Sequence, residues 1–174
     1  MSARSANPRE IVFEALYPDV RAPERATTGS AGYDLRAYLA GRRIRCSDGL
    51  AQWDVEAAKV DATWTVELAP ATMALVPLGF RARLPEGFEA QVRPRSGASF
   101  RKGILIPNAP GTVDADYPDE WMVPVRNGTS APMRIEHGER IAQAIFHRFE
   151  VMEWSEGPVA ASTDRRGGFG STGR

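Results

Sequence analysis

The sequence predicts an all-β domain, a jelly-roll-like sandwich or barrel with one short helix, and three observations carry that expectation. Apolar and polar residues alternate in short runs. Thirteen prolines and sixteen glycines are spread through the 174 residues and end most of those runs. No segment holds a helical apolar stripe of useful length. A strand that buries one face alternates with period two, whereas a helix needs a period of 3.6, so short alternating runs separated by turn residues favour a sandwich or barrel.

Taken in order, Ile11 to Leu16 reads as a strand that stops at Tyr17-Pro18. Ala31 to Ala37 is a small-residue turn entering a strand. Trp64 to Leu68 alternates and ends at Ala69-Pro70, Met73 to Val76 precedes Pro77, and Phe80 to Leu84 precedes Pro85-Glu86-Gly87. Phe88 to Val92, Met122 to Val125, Met133 to Glu136 and Arg140 to Phe149 complete the series. Two stretches admit helix: Gly97 to Lys102, and Trp53 to Val60, which is rich in helix formers. Residues 40–63 stand apart, with the single cysteine Cys46, a basic cluster (Arg42, Arg43, Arg45) and Trp53. That span exceeds the usual loop of about 4–6 residues, so it reads as an insertion forming a hairpin or helical excursion. A surface insertion is favoured there over an interaction arm.

Lys plus Arg and Asp plus Glu are equal at 22 each, so no global field attracts long nucleic acids or anionic membranes. One cysteine excludes an internal disulfide and a cysteine-cluster metal site. No apolar run reaches the length of a membrane span, and the first residues lack the apolar core of a signal peptide. The expectation is one cytoplasmic domain spanning 1–174, with a mobile lid at about 163–174.

Five segments concentrate residues that suit a polyanion. Ala31 to Ala37 presents Asp34, and Pro94 to Ser99 presents Arg95, Ser96 and Gly97 where a short helix begins, with free N–H donors at its start. Asn108 to Glu120 reads as a hairpin with Asp114 and Asp116 on one face of a strand. Gly138 to Gln143 reads as a strand whose Ile141 and Ile145 share a face with Gln143. The last, Asp164 to Arg174, combines glycine, hydroxyls and arginine around Phe169, a composition suited to closing over phosphates and a flat ring. Arg95, Ser96, Gln143 and the tail suit phosphate, Asp34 and Asp114 suit a metal or a water, and Tyr117 and Phe169 suit flat rings. The inventory describes a nucleoside phosphate. His137 and His147 sit in no metal-like cluster and read as structural.

In this order, ending in Gly-Gly-Phe-Gly-Ser-Thr-Gly, the five segments resemble the five motifs of the trimeric deoxyuridine triphosphatases. The resemblance implies hydrolysis of dUTP to dUMP and pyrophosphate with Mg²⁺, limiting uracil in DNA and supplying dUMP for thymidylate synthesis. It implies a homotrimer with shared active sites, each closed by a neighbour's tail, with no direct nucleic-acid or membrane partner. By the same resemblance Asp114 activates the attacking water, Tyr117 packs on deoxyribose, and Asn108, Thr112 and Val113 belong to the hairpin that reads uracil, with Met122 close by. Arg95, Ser96, Gly97 and Gln143 hold phosphates, and Asp34 meets the metal through water. Phe169 stacks on uracil, while Gly170, Ser171 and Arg165 (or its neighbour Arg166) cover the γ-phosphate. Three alternatives stand beside this reading: deamination of dCTP on the same fold, a non-catalytic nucleotide-binding module that contacts a partner through residues 40–63, and a structural jelly-roll subunit.

Overall fold

The computed structural model describes residues 9–160 and 163. Its elements are β1 (Val12–Ala15), β2 (Tyr33–Arg36), β3 (Arg43–Ser47), β4 (Gln52–Glu56), β5 (Ala58–Val60), β6 (Thr63–Leu68), β7 (Met73–Pro77), β8 (Phe80–Arg83) and β9 (Phe88–Pro94). There follow α1 (Ser96–Lys102), β10 (Ile104–Leu105), β11 (Gly111–Val113), β12 (Met122–Asn127), β13 (Met133–Glu136) and β14 (Arg140–Arg148). They form a five-stranded sheet β10-β12-β7-β3-β4, a four-stranded sheet β11-β9-β14-β2, a three-stranded sheet β13-β6-β5, and the pair β1-β8. Each strand pairing is antiparallel.

The alternation in the sequence becomes a single apolar core. Ile44, Val76 and Val125 from the five-stranded sheet, Leu35, Val92 and Ala144 from the four-stranded one, and Leu68 and Ile135 from the three-stranded one meet in one cluster. Burial in β13 follows period two, with Met133 and Ile135 inside and Arg134 and Glu136 outside.

Two expectations change. Trp53 to Val60 is not helical. It splits into β4 and β5, which lie at edges of two different sheets, and an edge strand shows little apolar periodicity because much of it faces water. Residues 40–63 are also more than a surface excursion: β3 pairs with both β4 and β7, and Ile44 and Cys46 are buried. Burial pushes the Cys46 thiol pKa up. At the tip of that hairpin the Asp48 carboxylate accepts the amides of Leu50 and Ala51, and these bonds hold its pKa below the usual carboxylate range.

Helix α1 ends at Gly103, whose φ of 67° is the left-handed conformation that glycine adopts without strain. A side chain there would press into Thr129. His137 serves the fold, as expected, by accepting the Leu39 amide on Nδ1 at 3.0 Å.

Candidate active site

The four-stranded sheet assembles the first, second and fourth motifs. Gln143 on β14 stands opposite Asp34 on β2 and opposite Arg93 on β9. The register of β14 against β2 slips between Arg140 and Ala142, so Ile141 is an extra residue in the ladder. This bulge corrects the expected alternation: Ile141 and Ala142 are both fully buried, while Arg140 joins Asp34, Arg36 and Gln143 on the outer face.

The consequence is a close charged cluster. Arg95 Nε donates to Asp34 Oδ1 at 2.7 Å, and Arg140 Nη1 donates to Asp34 Oδ2 at 3.0 Å. The Asp34 side chain is 15% exposed and that of Arg140 is 45% exposed, so the carboxylate lies beneath guanidinium groups that reach solvent. Arg95 Nη1 also donates to the Arg140 carbonyl at 3.5 Å. Gln143 Nε2 donates to the Pro94 carbonyl at 2.9 Å, tying the fourth motif to the second.

Arg95 is the N-cap residue of α1, with extended backbone and no side-chain capping bond, and Ser96 and Gly97 open the helix. A side chain at Gly97 would come within 2.8 Å of the Arg101 guanidinium, so glycine leaves that arginine its place. With seven residues α1 carries little dipole, and its contribution to an anion is its first amides and the Ser96 hydroxyl.

The third motif sits on the opposite edge of the same sheet. In β11, Gly111 is buried, Thr112 exposed and Val113 half-buried. Gly111 leaves room for the Asn108 amide, since a Cβ there would lie 2.8 Å from Asn108 Nδ2. Among the described residues β11 pairs with β9 alone, so the backbone groups of its outer edge are available to a ligand. The strand ends at Val113, and the expectation that Asp114 and Asp116 share a strand face is not met. Instead the Tyr117 amide donates to the Asp114 carbonyl at 3.2 Å, closing a turn that leaves the Asp114 side chain exposed. Tyr117 is 40% exposed.

These parts form two groups. Val113 lies opposite Ala90 on β9, whereas Arg95 follows the far end of that strand. Six residues of extended chain separate the levels of Asp114 and Arg95 on this ladder, about 20 Å along the strand. Two cavities adjoin these groups, and neither is lined by Arg95, Gln143 or Asp114. A cleft of about 500 Å³ is lined by Asp34, Arg36, Arg140, Arg25, Glu24 and His137 among others. A separate groove of about 350 Å³ is lined by Asp116, Tyr117, Pro118 and residues of β1 and β8. Met122 belongs to a different sheet, at the start of β12, and is 39% exposed.

Two supporting residues were not singled out from the sequence. Arg140 lay inside the fourth motif, but only the bulge turns it toward Asp34. Glu120, just after the third motif, is gripped by Arg42 through bonds of 3.0 and 2.7 Å, and it accepts the Gly79 amide at 2.8 Å. The hydrogen bond to Glu120 is the main cause of the raised Arg42 pKa. Arg42 was visible only as one of a basic cluster. Arg165, Arg166, Phe169, Gly170 and Ser171 lie outside the described residues.

Comparison with known proteins gives this arrangement its context. The family model described as dUTPase matches residues 45–173. The chain belongs to the dUTPase family. A relative from Rhizobium rhizogenes (strain K84 / ATCC BAA-868), named deoxyuridine 5'-triphosphate nucleotidohydrolase, is 46% identical over 143 residues, 82% of this chain and 86% of the relative. That family's fold is also the fold seen here. The dUTPase of Staphylococcus bacteriophage 80alpha, solved as a point mutant with dUpNHpp, superposes with a TM-score of 0.71 at 23% identity, covering 94% of this chain and 98% of that one. A point mutant of the dUTPase from phage phi11 of S. aureus, described with a structural Mg(II) ion, superposes with a TM-score of 0.66 at 19% identity, covering 88% and 99%.

Proposed function

We propose that this chain hydrolyses dUTP to dUMP and pyrophosphate, with Mg²⁺, in a site completed by other copies of itself. The activity follows from membership of the dUTPase family. One observation carries the shared-site part: the third motif lies on edge strand β11, while Asp34 on β2, Gln143 on β14 and Arg95 beyond β9 gather toward the other end of the sheet, Arg95 about 20 Å from Asp114 along the strands. We read a nucleoside triphosphate that touches both as bound between protomers of a closed homotrimer.

In this reading the free edge of β11 hydrogen-bonds uracil, with Asn108, Thr112 and Val113 shaping the hairpin and Met122 beside it. Tyr117 packs on the sugar, where ring bulk rejects a 2′-hydroxyl. Asp114 orients a water and takes its proton as the oxygen attacks the α-phosphorus, while the bond to the bridging oxygen breaks and pyrophosphate leaves. Arg95, Ser96, Gly97 and Gln143 hold the phosphates. Arg165 (or Arg166), Phe169, Gly170 and Ser171 of the tail close over the nucleotide and exclude water.

The residues present suit Mg²⁺ in one way. Among the described residues no group of three His, Cys, Asp or Glu side chains could hold a metal ion. Asp34 already accepts Arg95 and Arg140, but a carboxylate has about four lone-pair sites and retains capacity for the waters of a hydrated ion. Mg²⁺ keeps most of its waters and is commonly held by substrate phosphates, so Asp34 would hold it through water. When bound it neutralises phosphate charge. A cytoplasmic setting, with neither a direct nucleic-acid partner nor a membrane, accords with a buried free thiol and balanced charge.

The deciding experiment measures pyrophosphate and ammonia release from dUTP, dCTP, dTTP and UTP with Mg²⁺. Pyrophosphate from dUTP, at least about 100-fold faster than from the others in kcat/KM, is expected. Ammonia release from dCTP overturns the reading.

A further inference from the structure

We infer that Arg140 is a positioning residue for nucleotide binding, acting through Asp34 on Arg95. The inference rests on the proposed dUTP site and adds a residue to it.

The geometry starts from the bulge. In a regular ladder the residue on Asp34's face two before Gln143 would be Ile141. The extra residue sends Ile141 into the core, where it is fully buried, and brings Arg140 opposite Arg36 on the outer face. Two arginines facing each other across a strand pair repel, and Asp34 is the carboxylate that offsets this. Each of its oxygens is taken by a different guanidinium, Oδ1 by Arg95 and Oδ2 by Arg140.

That division decides what Arg95 can do. Arg95 reaches Asp34 through Nε, the side of the guanidinium away from its terminal fork. Its terminal nitrogens are therefore directed elsewhere, and one of them donates weakly to the Arg140 carbonyl at 3.5 Å. A planar guanidinium has five N–H donors in fixed directions, so one used on Nε leaves the fork for a phosphate. If Arg140 were absent, Oδ2 would be uncompensated beneath a 22% exposed Arg95, and the preferred answer is a bidentate fork-to-fork pair that consumes the donors meant for phosphate. By occupying Oδ2, Arg140 keeps Arg95 in a single-bonded pose. The pair of cations on one anion also leaves the cluster with net positive charge, as a triphosphate site requires.

The test measures the affinity of the full-length protein for dUpNHpp with Mg²⁺ by calorimetry in five proteins: wild type, Arg140→Gln, Arg140→Lys, Asp34→Asn and the double variant Asp34→Asn/Arg140→Gln. Arg140→Gln is expected to weaken binding about tenfold, Arg140→Lys to recover most of that loss, and the double variant to bind no more than about twofold weaker than Asp34→Asn alone, since coupled residues do not add. A full additional tenfold loss in the double variant overturns the inference by making Arg140 an independent contact, and so does unchanged affinity in Arg140→Gln. Thermal melts within a few degrees of wild type establish that each variant folds, as the 45% exposure of Arg140 leads one to expect. Wild-type protein that folds yet fails to bind dUpNHpp sinks the functional reading itself, and the inference with it.

Discussion

Gly32 and Gln143 compete for one space: a Cβ on Gly32 would overlap Gln143 Oε1 and stand 2.9 Å from its Cδ. The absent side chain leaves the space that the Gln143 amide occupies as it donates to the Pro94 carbonyl.

Gly32→Ala should therefore push the Gln143 side chain out of its pose. The fold can tolerate this, because Gln143 is only partly buried, so a stability loss of about 1–2 kcal/mol is expected. The phosphate contact has less freedom, and KM for dUTP should rise about tenfold with kcat nearly unchanged. Steady-state kinetics beside a thermal melt separates the two effects. An unchanged KM would remove Gln143 from the phosphate site.

The Arg42–Glu120 pair makes a prediction about stability. Both side chains are mostly buried, at 17% and 11% exposure, and Arg42 also donates to the Tyr17 hydroxyl at 3.1 Å. Removing Arg42 leaves the buried Glu120 carboxylate with the Gly79 amide but no countercharge, so Arg42→Ala should cost about 3 kcal/mol. Glu120 precedes Trp121 and follows the third motif, so the same variant should also loosen the turn that carries Tyr117. Urea denaturation gives the first quantity. The ratio of kcat/KM for dUTP over UTP, falling in the variant, gives the second.

These cases mark the boundary of what the chain reveals before folding. Strands with one wet and one buried face were legible, as at Met133 to Glu136, because period two is written in the residues themselves. The motif residues were legible because glycine, arginine and carboxylate clusters have few other uses together. What was not legible depends on long-range register. The extra residue at Ile141 changes which neighbours face Asp34, yet a one-residue slip leaves no mark in composition. Arg42 meets Glu120 across 78 positions, and nothing local distinguishes it from Arg43 or Arg45, which pair on the surface with Asp54 and Glu56. The turn after Val113 was hidden for a similar reason, since Val-Asp-Ala-Asp-Tyr alternates as well as any strand.

Cys46 offers a test of the core position of β3. Burial raises its thiol pKa, so the nucleophilic thiolate forms at higher pH in the folded protein than in the unfolded chain. Iodoacetamide at pH 8 should modify native protein slowly and urea-unfolded protein fast. The linked stability has a definite sign: the unfolded chain loses its thiol proton first, so the contribution is whole below the ordinary thiol pKa of about 8.5 and declines as pH rises through the folded value. Cys46→Ala should flatten that alkaline decline. Rapid labelling of native protein at pH 8 would place Cys46 at the surface instead.

The shared site makes the sharpest prediction, and it uses two inactive variants. Asp114→Asn keeps shape and hydrogen-bonding capacity but cannot take a proton from water, so kcat should fall by about 10²–10⁴ with nucleotide still bound. Arg95→Ala removes a phosphate contact from beyond the far end of the neighbouring strand β9. Each homotrimer alone should be nearly inactive. Co-expressed under different affinity tags and purified through both, the mixed trimers contain two chains of one kind and one of the other. Going round such a ring, one neighbouring pair joins an intact Arg95 on one chain to an intact Asp114 on the next, so about one site in three is whole and about a third of wild-type activity should return. A site built within one chain has no intact copy in any mixture. Mixed trimers as inactive as their parents would thus return Asp114 and Arg95 to a single protomer, against the separation of about 20 Å that the pairing of β11 and β9 imposes.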